Sequence, residues 1–139
     1  MFFCILLKRH QRLVWKEVRF LTRKRQIFSY WLFTMYYIEQ YPNRLFHQFS
    51  YHIPLLVSKR AVVRHKVKRI LLRNLEARIL HLDFWNMYYK WFITLNKSKL
   101  SQLLAFLEKK DSTQLETYLV NEHEQFFSSF LKRLWKKIK

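Results

Sequence analysis

Hydrophobic positions in two segments of the chain recur every three or four residues, as they do on one face of a helix. The first segment covers residues 8–25 and the second runs from Ala61 to about Leu80. The apolar positions with this spacing are Leu13, Val14, Val18 and Leu21 in the first segment and Val63, Val67, Ile70 and Leu71 in the second. Each segment is therefore predicted to be a helix that seats one apolar stripe on a core.

Aromatic segments without helical periodicity lie between and after these two helices. Residues 28–38 predict one or two strands followed by a turn at Pro42, and residues 84–95 predict another strand. Residues 51–58 are also predicted to be extended. Pro54 within them has no N–H to donate to a ladder, which favours an edge strand or a bulge.

The last part of the chain returns to helical spacing. One helix is predicted to end at Leu107, and a longer one, supported by the capping-box spacing of Thr113 and Glu116, is predicted to reach about Trp135. The candidate caps are Asn96 or Ser98 for the first helix and Asp111 or Ser112 for the second. This order of elements predicts an α+β fold in which helices pack on a small sheet.

With 139 residues and no internal repeat, the sequence predicts a single domain. We divide it into an N-terminal basic helix at 8–25, a core at 26–110 and an extended C-terminal helical region at 111–139. Half of the residues are hydrophobic and 19% are aromatic, which argues against a disordered chain.

The charge of the chain is strongly positive, at +18 from 27 Lys and Arg against 9 Asp and Glu. Such an excess favours an anionic partner, which could be RNA, DNA or an anionic membrane surface. The charge is densest between Lys59 and Arg73, where seven of the fifteen residues are Lys or Arg and none is acidic. Because the same segment is predicted to be a helix, its charges are expected to be held in fixed positions.

On a helical wheel these charges form two rows. Lys66, Arg69 and Arg73 form an outward row, while Arg64 and Lys68 form a second row nearer the apolar edge. Two basic rows on a rigid helix suit the phosphates of a nucleic acid. A solvated face is the alternative interpretation, but an ordinary soluble helix mixes both signs of charge.

Catalysis by the protein itself has little support in the sequence. The nine acidic residues are scattered, and the chain has no glycine from which to build a phosphate-binding loop. A single cysteine, Cys4, excludes an internal disulfide and a multi-cysteine zinc site. No catalytic residue and no metal site on the protein is predicted.

The segment from Val57 to Arg73 resembles the protein component of bacterial ribonuclease P, in which a strand ending in V-S-K-K is followed by A-V-x-R-N-x-x-K-R-x-x-R on a helix. The matching residues are Val57, Ser58, Lys59 and Arg60 in the first part, Ala61, Val62 and Arg64 in the second, and Lys68 and Arg69 in the third. His65 stands where the family has Asn, and Leu72 stands where it has a later Arg. The connection between the two parts is shorter than in the family, and the C-terminal region is longer.

The resemblance implies a two-layer α-β sandwich with a small mixed sheet and a left-handed βαβ crossover. It also implies a non-catalytic subunit of an endonuclease that removes the 5′ leader from precursor tRNA. In that family the RNA subunit carries out the cleavage with Mg²⁺, so no cofactor is expected on the protein alone. The expected partners are the catalytic RNA and precursor tRNA, in the cytoplasm and without a membrane.

Carried over residue by residue, the resemblance places Arg64, Lys68 and Arg69 against the catalytic RNA. The other RNA-binding residues that it implies are Lys59, Arg60, His65, Lys66 and Arg73. His65 is expected to act as a hydrogen-bond donor in place of the family's Asn. Ser58 is expected, together with Lys59, at the margin of a cleft that holds the leader.

Single-stranded RNA is bound by aromatic rings that lie beside positive charge. The candidates for the leader cleft are Trp15, Phe20, Phe33 and Tyr36, with Tyr37 beside them. Each of these rings could belong to the core instead. Because neighbouring strand residues point to opposite faces, at most one of Tyr36 and Tyr37 can line the cleft.

Two other classes of protein stay open at this point. A ribosomal or other structural RNA-binding protein would share the charge and the aromatic residues, although it has no reason to share the V-S-K-R and A-V-V-R pattern. A peripheral membrane protein would need a long amphipathic helix, for which residues 126–138 are the candidate. The longest uncharged apolar-rich stretch, residues 28–38, is too short to cross a bilayer as a helix.

Overall fold

The computed structural model describes residues 9–23, 26–82 and 84–138. The helices are α1 (Trp15–Arg23), α2 (Ala61–Ala77), α3 (Ser101–Lys109) and α4 (Ser112–Ile138), and the strands are β1 (Gln26–Tyr30), β2 (Phe33–Glu39), β3 (Gln48–His52) and β4 (Tyr89–Leu95). Short 3-10 turns occur at Arg9–Gln11, Ile79–His81 and Lys97–Lys99. The predicted α+β class is confirmed.

The four strands form one mixed sheet in the order β1-β2-β4-β3. β1, β2 and β4 pair antiparallel, whereas β3 pairs parallel to β4 at the sheet edge. A parallel pair needs a crossover connection, and α2 lies within that crossover between β3 and β4. The left-handed sense of the crossover stays a prediction.

One face of the sheet is buried under α2 and α4. Strand alternation sends every second side chain to this face, where Met35, Tyr37, Trp91 and Ile93 are all at most 1% exposed. Phe130 of α4 lies edge-on to the rings of Tyr37 and Trp91, with centroids 4.9 Å and 5.2 Å away. Such edge-to-face pairs add to the free energy that area burial alone supplies.

Among the described residues, the helix that covers part of the opposite face is α1, at one end. Val18 and Leu21 of α1 are buried there, outside the main core cluster. Lys90 of β4, only 4% exposed, places its Nζ 3.0 Å from Glu17 Oε2 and 4.1 Å from the centre of the Tyr41 ring. The Glu17 contact is an ion pair without hydrogen-bond geometry. The described helices leave the rest of this surface uncovered. We call it the open face, and its central residues are Ile27, Tyr36, Phe92 and Ser50 on the four strands.

The first helix is shorter than the predicted 8–25. The chain is in a 3-10 turn at Arg9–Gln11, and the Leu13 N–H then donates to the Phe49 carbonyl at 3.0 Å, which ties this segment to the edge of β3. A residue paired to a strand cannot continue a helix, so α1 begins only at Trp15. Residues 8, 24 and 25 of the predicted helix, like Cys4, lie outside the described residues.

The prediction of a strand at 51–58 is wrong in its bounds. β3 is an edge strand as expected, but it ends at His52. Pro54 instead accepts the Val57 N–H in a turn, with N and O 3.0 Å apart. The V-S-K-R sequence therefore leads into α2 from this turn rather than from a strand.

The last strand also begins later than the predicted residue 84. Trp85 and Asn86 have φ of 56° and 58°, which breaks the extended backbone, and β4 starts at Tyr89. The two C-terminal helices are confirmed, but the cap predicted at Asn96 or Ser98 is wrong, because α3 begins at Ser101 after Leu100 and has no side-chain cap. Asp111 caps the second of them, since its Oδ1 accepts the N–H groups of Thr113 and Gln114 at 3.1 Å each.

Candidate nucleic-acid interface

Helix α2 is seated on the core by the apolar stripe that the sequence predicted. Val67, Ile70, Leu71 and Leu75 are at most 5% exposed. Leu72 and Asn74 are also buried, whereas all five Lys and Arg residues of the helix are exposed or half-buried at its surface. The predicted basic helix is thus a folded element whose charges have fixed positions.

The turn before α2 is held by Ser58. Its Oγ accepts the Arg60 N–H at 3.1 Å, and its carbonyl accepts a hydrogen bond from Arg64 Nη1 at 2.8 Å. Arg64 is half-buried by this contact, which fixes the direction of its guanidinium. Lys59, Arg60 and His65 are exposed beside it. Ser58 therefore acts within the protein, where it positions cations, and it is itself half-buried.

The row formed by Lys66, Arg69 and Arg73 lines a groove of about 370 Å³ between α2 and the start of α4. Lys66 Nζ donates to Ser112 Oγ at 2.7 Å across this groove. Arg73 Nη1 lies 3.9 Å from Glu116 Oε1, and both side chains are about half exposed. Such an exposed, distant pair is worth little, so Arg73 remains available to an anion.

In the second row Lys68 faces the other way, toward β3, whereas Arg64 turns back to the Ser58 carbonyl. Lys68 lines a pocket of about 260 Å³ together with Arg12 and Ser50. The remaining walls are apolar, from Leu13, Phe49, Tyr51 and Leu72. This pocket lies at the edge of the sheet, so α2 presents cations both to the α4 groove and toward β3.

Carboxylates are scarce around this helix. Among the described residues, Arg73 is the only predicted RNA-binding residue within 4.0 Å of an acidic side chain. Arg78, just after α2, is paired to Glu124 at 2.9 Å. The excess positive charge of α2 is therefore left for an external partner.

The open face carries a pair of aromatic rings at its centre. Tyr36 of β2 stacks on Phe92 of β4, with centroids 6.0 Å apart and planes 21° from parallel. Ile27 and Ser50 flank this pair on the two outer strands. Phe92 was missed by the sequence analysis, although the alternation of residues 89–95 could have placed it opposite Tyr36.

The structure separates the predicted cleft residues. Trp15 and Phe20 of α1 are 71% and 47% exposed. Phe33 is fully buried against Phe126 and His123, so the prediction that it lines the leader cleft is wrong. Alternation explains this, because Phe33 shares the core face with Tyr37, which is 1% exposed. As predicted, only one of Tyr36 and Tyr37 reaches the open face.

A buried hydrogen-bond chain joins α2 to both β3 and α4. Tyr51 Oη lies 2.7 Å from His123 Nε2, and His123 Nδ1 lies 2.7 Å from Asn74 Oδ1. Asn74 Nδ2 donates to Glu124 at 2.9 Å, so its oxygen must accept and His123 Nδ1 must carry the proton. Burial lowers the pKa of His123 to about 3, which keeps the ring neutral.

His47 is a second buried histidine, beneath the start of β4. Its Nδ1 accepts both the Tyr89 N–H and the Trp91 indole N–H at 3.1 Å. Burial lowers its pKa to about 4. Both contacts require an unprotonated Nδ1, so this ring supports the sheet rather than a proton transfer.

The apolar face of residues 126–138, the candidate membrane helix, is packed in the core of the protein. Phe126, Phe127 and Phe130 are fully buried, and Leu134 is 4% exposed. This arrangement contradicts an amphipathic membrane role for residues 126–138. No helix within the described ranges has the length and hydropathy needed to span a bilayer. Nor do three or more His, Cys, Asp or Glu side chains of these residues form a group that could hold a metal ion.

The fold matches two solved bacterial structures. The Staphylococcus aureus RNase P protein superposes with a TM-score of 0.62 at 13% identity, over 85% of this chain and 93% of the other. The Thermotoga maritima RNase P protein gives a TM-score of 0.58, also at 13% identity, over 79% and 92%. No protein-family model and no curated protein matches the sequence. The chain thus has the fold of bacterial RNase P proteins.

Proposed function

We propose that this chain is the protein subunit of a bacterial-type ribonuclease P, which assists removal of the 5′ leader from precursor tRNA. One observation carries the proposal: a helix with cations on both sides and almost no carboxylate packs on one face of a sheet whose other face is aromatic and uncovered, in the fold shared with RNase P proteins. The V-S-K-R and A-V-V-R-H-x-x-K-R sequence lies at the start of that same helix.

The catalytic RNA binds to α2 in this proposal. Arg64, Lys68 and Arg69 contact its phosphates, and their fixed positions limit the side-chain entropy lost on binding. The neighbouring cations that extend this surface are Lys59, Arg60, Lys66 and Arg73, with His65 as a hydrogen-bond donor. Each phosphate neutralised releases condensed counterions, which makes the affinity depend strongly on salt.

The 5′ leader of precursor tRNA binds to the open face. Tyr36 and Phe92 offer stacking surfaces for bases, and the exposed Trp15 and Phe20 stand on α1 at the covered end of this face. Lys68 and the pocket at the β3 edge supply positive charge beside it. Because mature tRNA has no leader, this contact raises the affinity for precursor over product.

The protein performs no bond cleavage in this proposal. The catalytic RNA carries out the hydrolysis with Mg²⁺, in the cytoplasm where precursor tRNA is processed. The contribution of the protein is to screen the repulsion between two RNA molecules and to hold the leader. Cations on α2 reduce the Mg²⁺ concentration that the two RNAs need to associate.

The test is reconstitution of the full-length protein with the catalytic RNA from the same source. We expect faster 5′ leader removal at low Mg²⁺ concentration, and a smaller gain as Mg²⁺ rises and replaces the screening. A variant with Lys132 changed to Gln, exposed near the C-terminal end of α4 and outside the proposed surfaces, is the control and is expected to stimulate as the wild type does. No stimulation at any Mg²⁺ concentration, with tight binding to ribosomal RNA, would favour a structural RNA-binding protein instead.

A further inference from the structure

The tip of the β1–β2 hairpin carries a tryptophan in an unfavourable conformation. Trp31 has φ of 51° and is 57% exposed. In the left-handed region the Cβ atom crowds the backbone, and Asn or Gly is the usual residue there. The chain places Asn at a comparable position, Asn86, with φ of 58°. An exposed Trp at the hairpin tip is therefore not what the local fold favours.

A network around Asn96 holds this tip in place. Asn96 Nδ2 donates to the Trp31 carbonyl at 2.6 Å and to Ser29 Oγ at 3.1 Å, and Asn96 Oδ1 accepts a hydrogen bond from Thr34 Oγ1. The Asn96 N–H also donates to the Leu32 carbonyl at 2.7 Å. These contacts join the end of β4 to the hairpin, so the indole is presented on a rigid support.

The surroundings of Trp31 are cationic. Lys99 Nζ lies 5.5 Å from the centre of the indole ring, and Lys97 is exposed in the same 3-10 turn. Glu17, the acidic residue of α1 that packs against the open face, lies at its other end, where it is already paired with Lys90. A ring beside ammonium groups suits the base and phosphate of a single-stranded nucleic acid.

The backbone that supports the tip continues the open face, whereas the indole of Trp31 lies edge-on to the Tyr30 ring, with centroids 6.2 Å apart. Ser29 and Thr34, which Asn96 joins to Trp31, are paired across β1 and β2 on that face, one step beyond Ile27 and Tyr36. Tyr36 lies three residues from Phe33, where β2 begins at the tip, which corresponds to roughly 10 Å along the strand. A single strand stacked on Tyr36 would need additional nucleotides to reach Trp31.

We propose that Trp31 and Lys99 form a second stacking site for single-stranded RNA, which binds the distal part of a long leader. The site rests on the proposed function for its natural ligand, but its preference for an unpaired base beside a phosphate follows from its own residues. Trp31 and Lys99 are placed to determine how the protein responds to leader length.

The central variant is Trp31→Asn, because it removes the ring and also places at this position a residue that tolerates positive φ. We expect its thermal midpoint to equal or exceed that of the wild type, so a loss of binding would not reflect misfolding. In the reconstituted holoenzyme, affinity is measured for precursor tRNAs whose leaders are lengthened by single nucleotides. As the leader lengthens, the affinity of the wild type is expected to rise in two steps, the first when the leader reaches Tyr36 and the second when it reaches Trp31. Trp31→Asn is expected to lose only the second step, a loss of about tenfold in affinity for long leaders.

Two matched variants separate this site from general effects. Trp135→Ala removes a comparably exposed indole near the C-terminal end of α4, and is expected to keep both steps of the gain in affinity. Trp31→Phe retains a ring and is expected to keep most of the second step. Tyr36→Ala, in the centre of the open face, is expected to weaken the first step.

A second measurement uses oligouridylate RNA with the full-length protein alone. Trp31→Asn is expected to bind it about tenfold more weakly, and Lys99→Gln is expected to reduce the salt slope by about 0.7. Retention of the second step and of oligouridylate affinity by Trp31→Asn would overturn the second site while leaving the proposed function intact. If the wild type binds oligouridylate through Trp31 but never stimulates leader removal, the proposed function fails and this site stands.

Discussion

Protonation of His123 should lower the free energy of unfolding as pH falls. The ring is fully buried, and its two nitrogens already have partners in Tyr51 and Asn74. A proton added to Nε2 would remove the acceptor of the Tyr51 hydroxyl and place an uncompensated charge in the core. His123→Gln removes this titration and keeps a side chain that can both donate and accept.

The sign and size of the effect follow from the pKa of His123. In the folded protein the pKa is about 3, while an unfolded histidine has 6.5. Below pH 6.5 this histidine is therefore protonated in the unfolded chain but not in the folded protein, and the free energy of unfolding decreases as pH falls toward 3. Each pH unit in this window costs about 1.4 kcal/mol, so His123 alone accounts for about 2 kcal/mol between pH 7.5 and pH 5.

The assay is urea unfolding of the full chain across this pH range at fixed ionic strength. The wild type should lose about 2 kcal/mol more than His123→Gln between pH 7.5 and pH 5. His47, with a pKa of about 4, contributes a similar slope to both proteins and cancels in the difference. His81→Gln, at an exposed position, should retain the wild-type slope. Parallel slopes for the wild type and His123→Gln would refute the reasoning.

Two further predictions concern carboxylates near the basic surfaces. Glu116→Gln should raise the affinity for the catalytic RNA by about twofold to fivefold, measured by filter binding, because it removes a negative charge 3.9 Å from Arg73; unchanged affinity would place the RNA away from this groove. Glu17→Gln should lower the free energy of unfolding by about 2 to 3 kcal/mol in urea titrations, because it leaves Lys90 buried without a counter-ion. Adding Lys90→Met should restore most of that loss, and failure of this rescue would contradict the ion-pair account.

Helix α2 was predictable from sequence because its signal is local. The apolar stripe through Val67, Ile70 and Leu71 repeats within the helix itself, so periodicity gave the correct start at Ala61. The basic rows follow from the same geometry. The strands within residues 28–38 were predictable because their aromatic composition is also a local signal. The turn that divides them at Trp31 has no usual turn residue.

The errors arose where distant parts of the chain decide the structure. β3 is positioned by its parallel pairing with β4, forty residues later, and not by the extended character of residues 51–58. Phe33 is buried because α4 places Phe126 over it. No local pattern identifies His123 as a link between α2 and β3, since its partners lie 49 and 72 residues away.

The central claim is that α2 binds the catalytic RNA through its cations, and the salt dependence of that affinity tests it most directly. Replacing Arg64, Lys68 and Arg69 by Gln should flatten the slope of log affinity against log salt by up to about 0.9 per lost phosphate contact. The matched control replaces Lys132, Lys136 and Lys137, which are exposed near the C-terminal end of α4. We predict a flatter slope for the α2 variant and a nearly unchanged slope for the control. Equal slopes for the wild type and the α2 variant, with both proteins folded, would contradict the account.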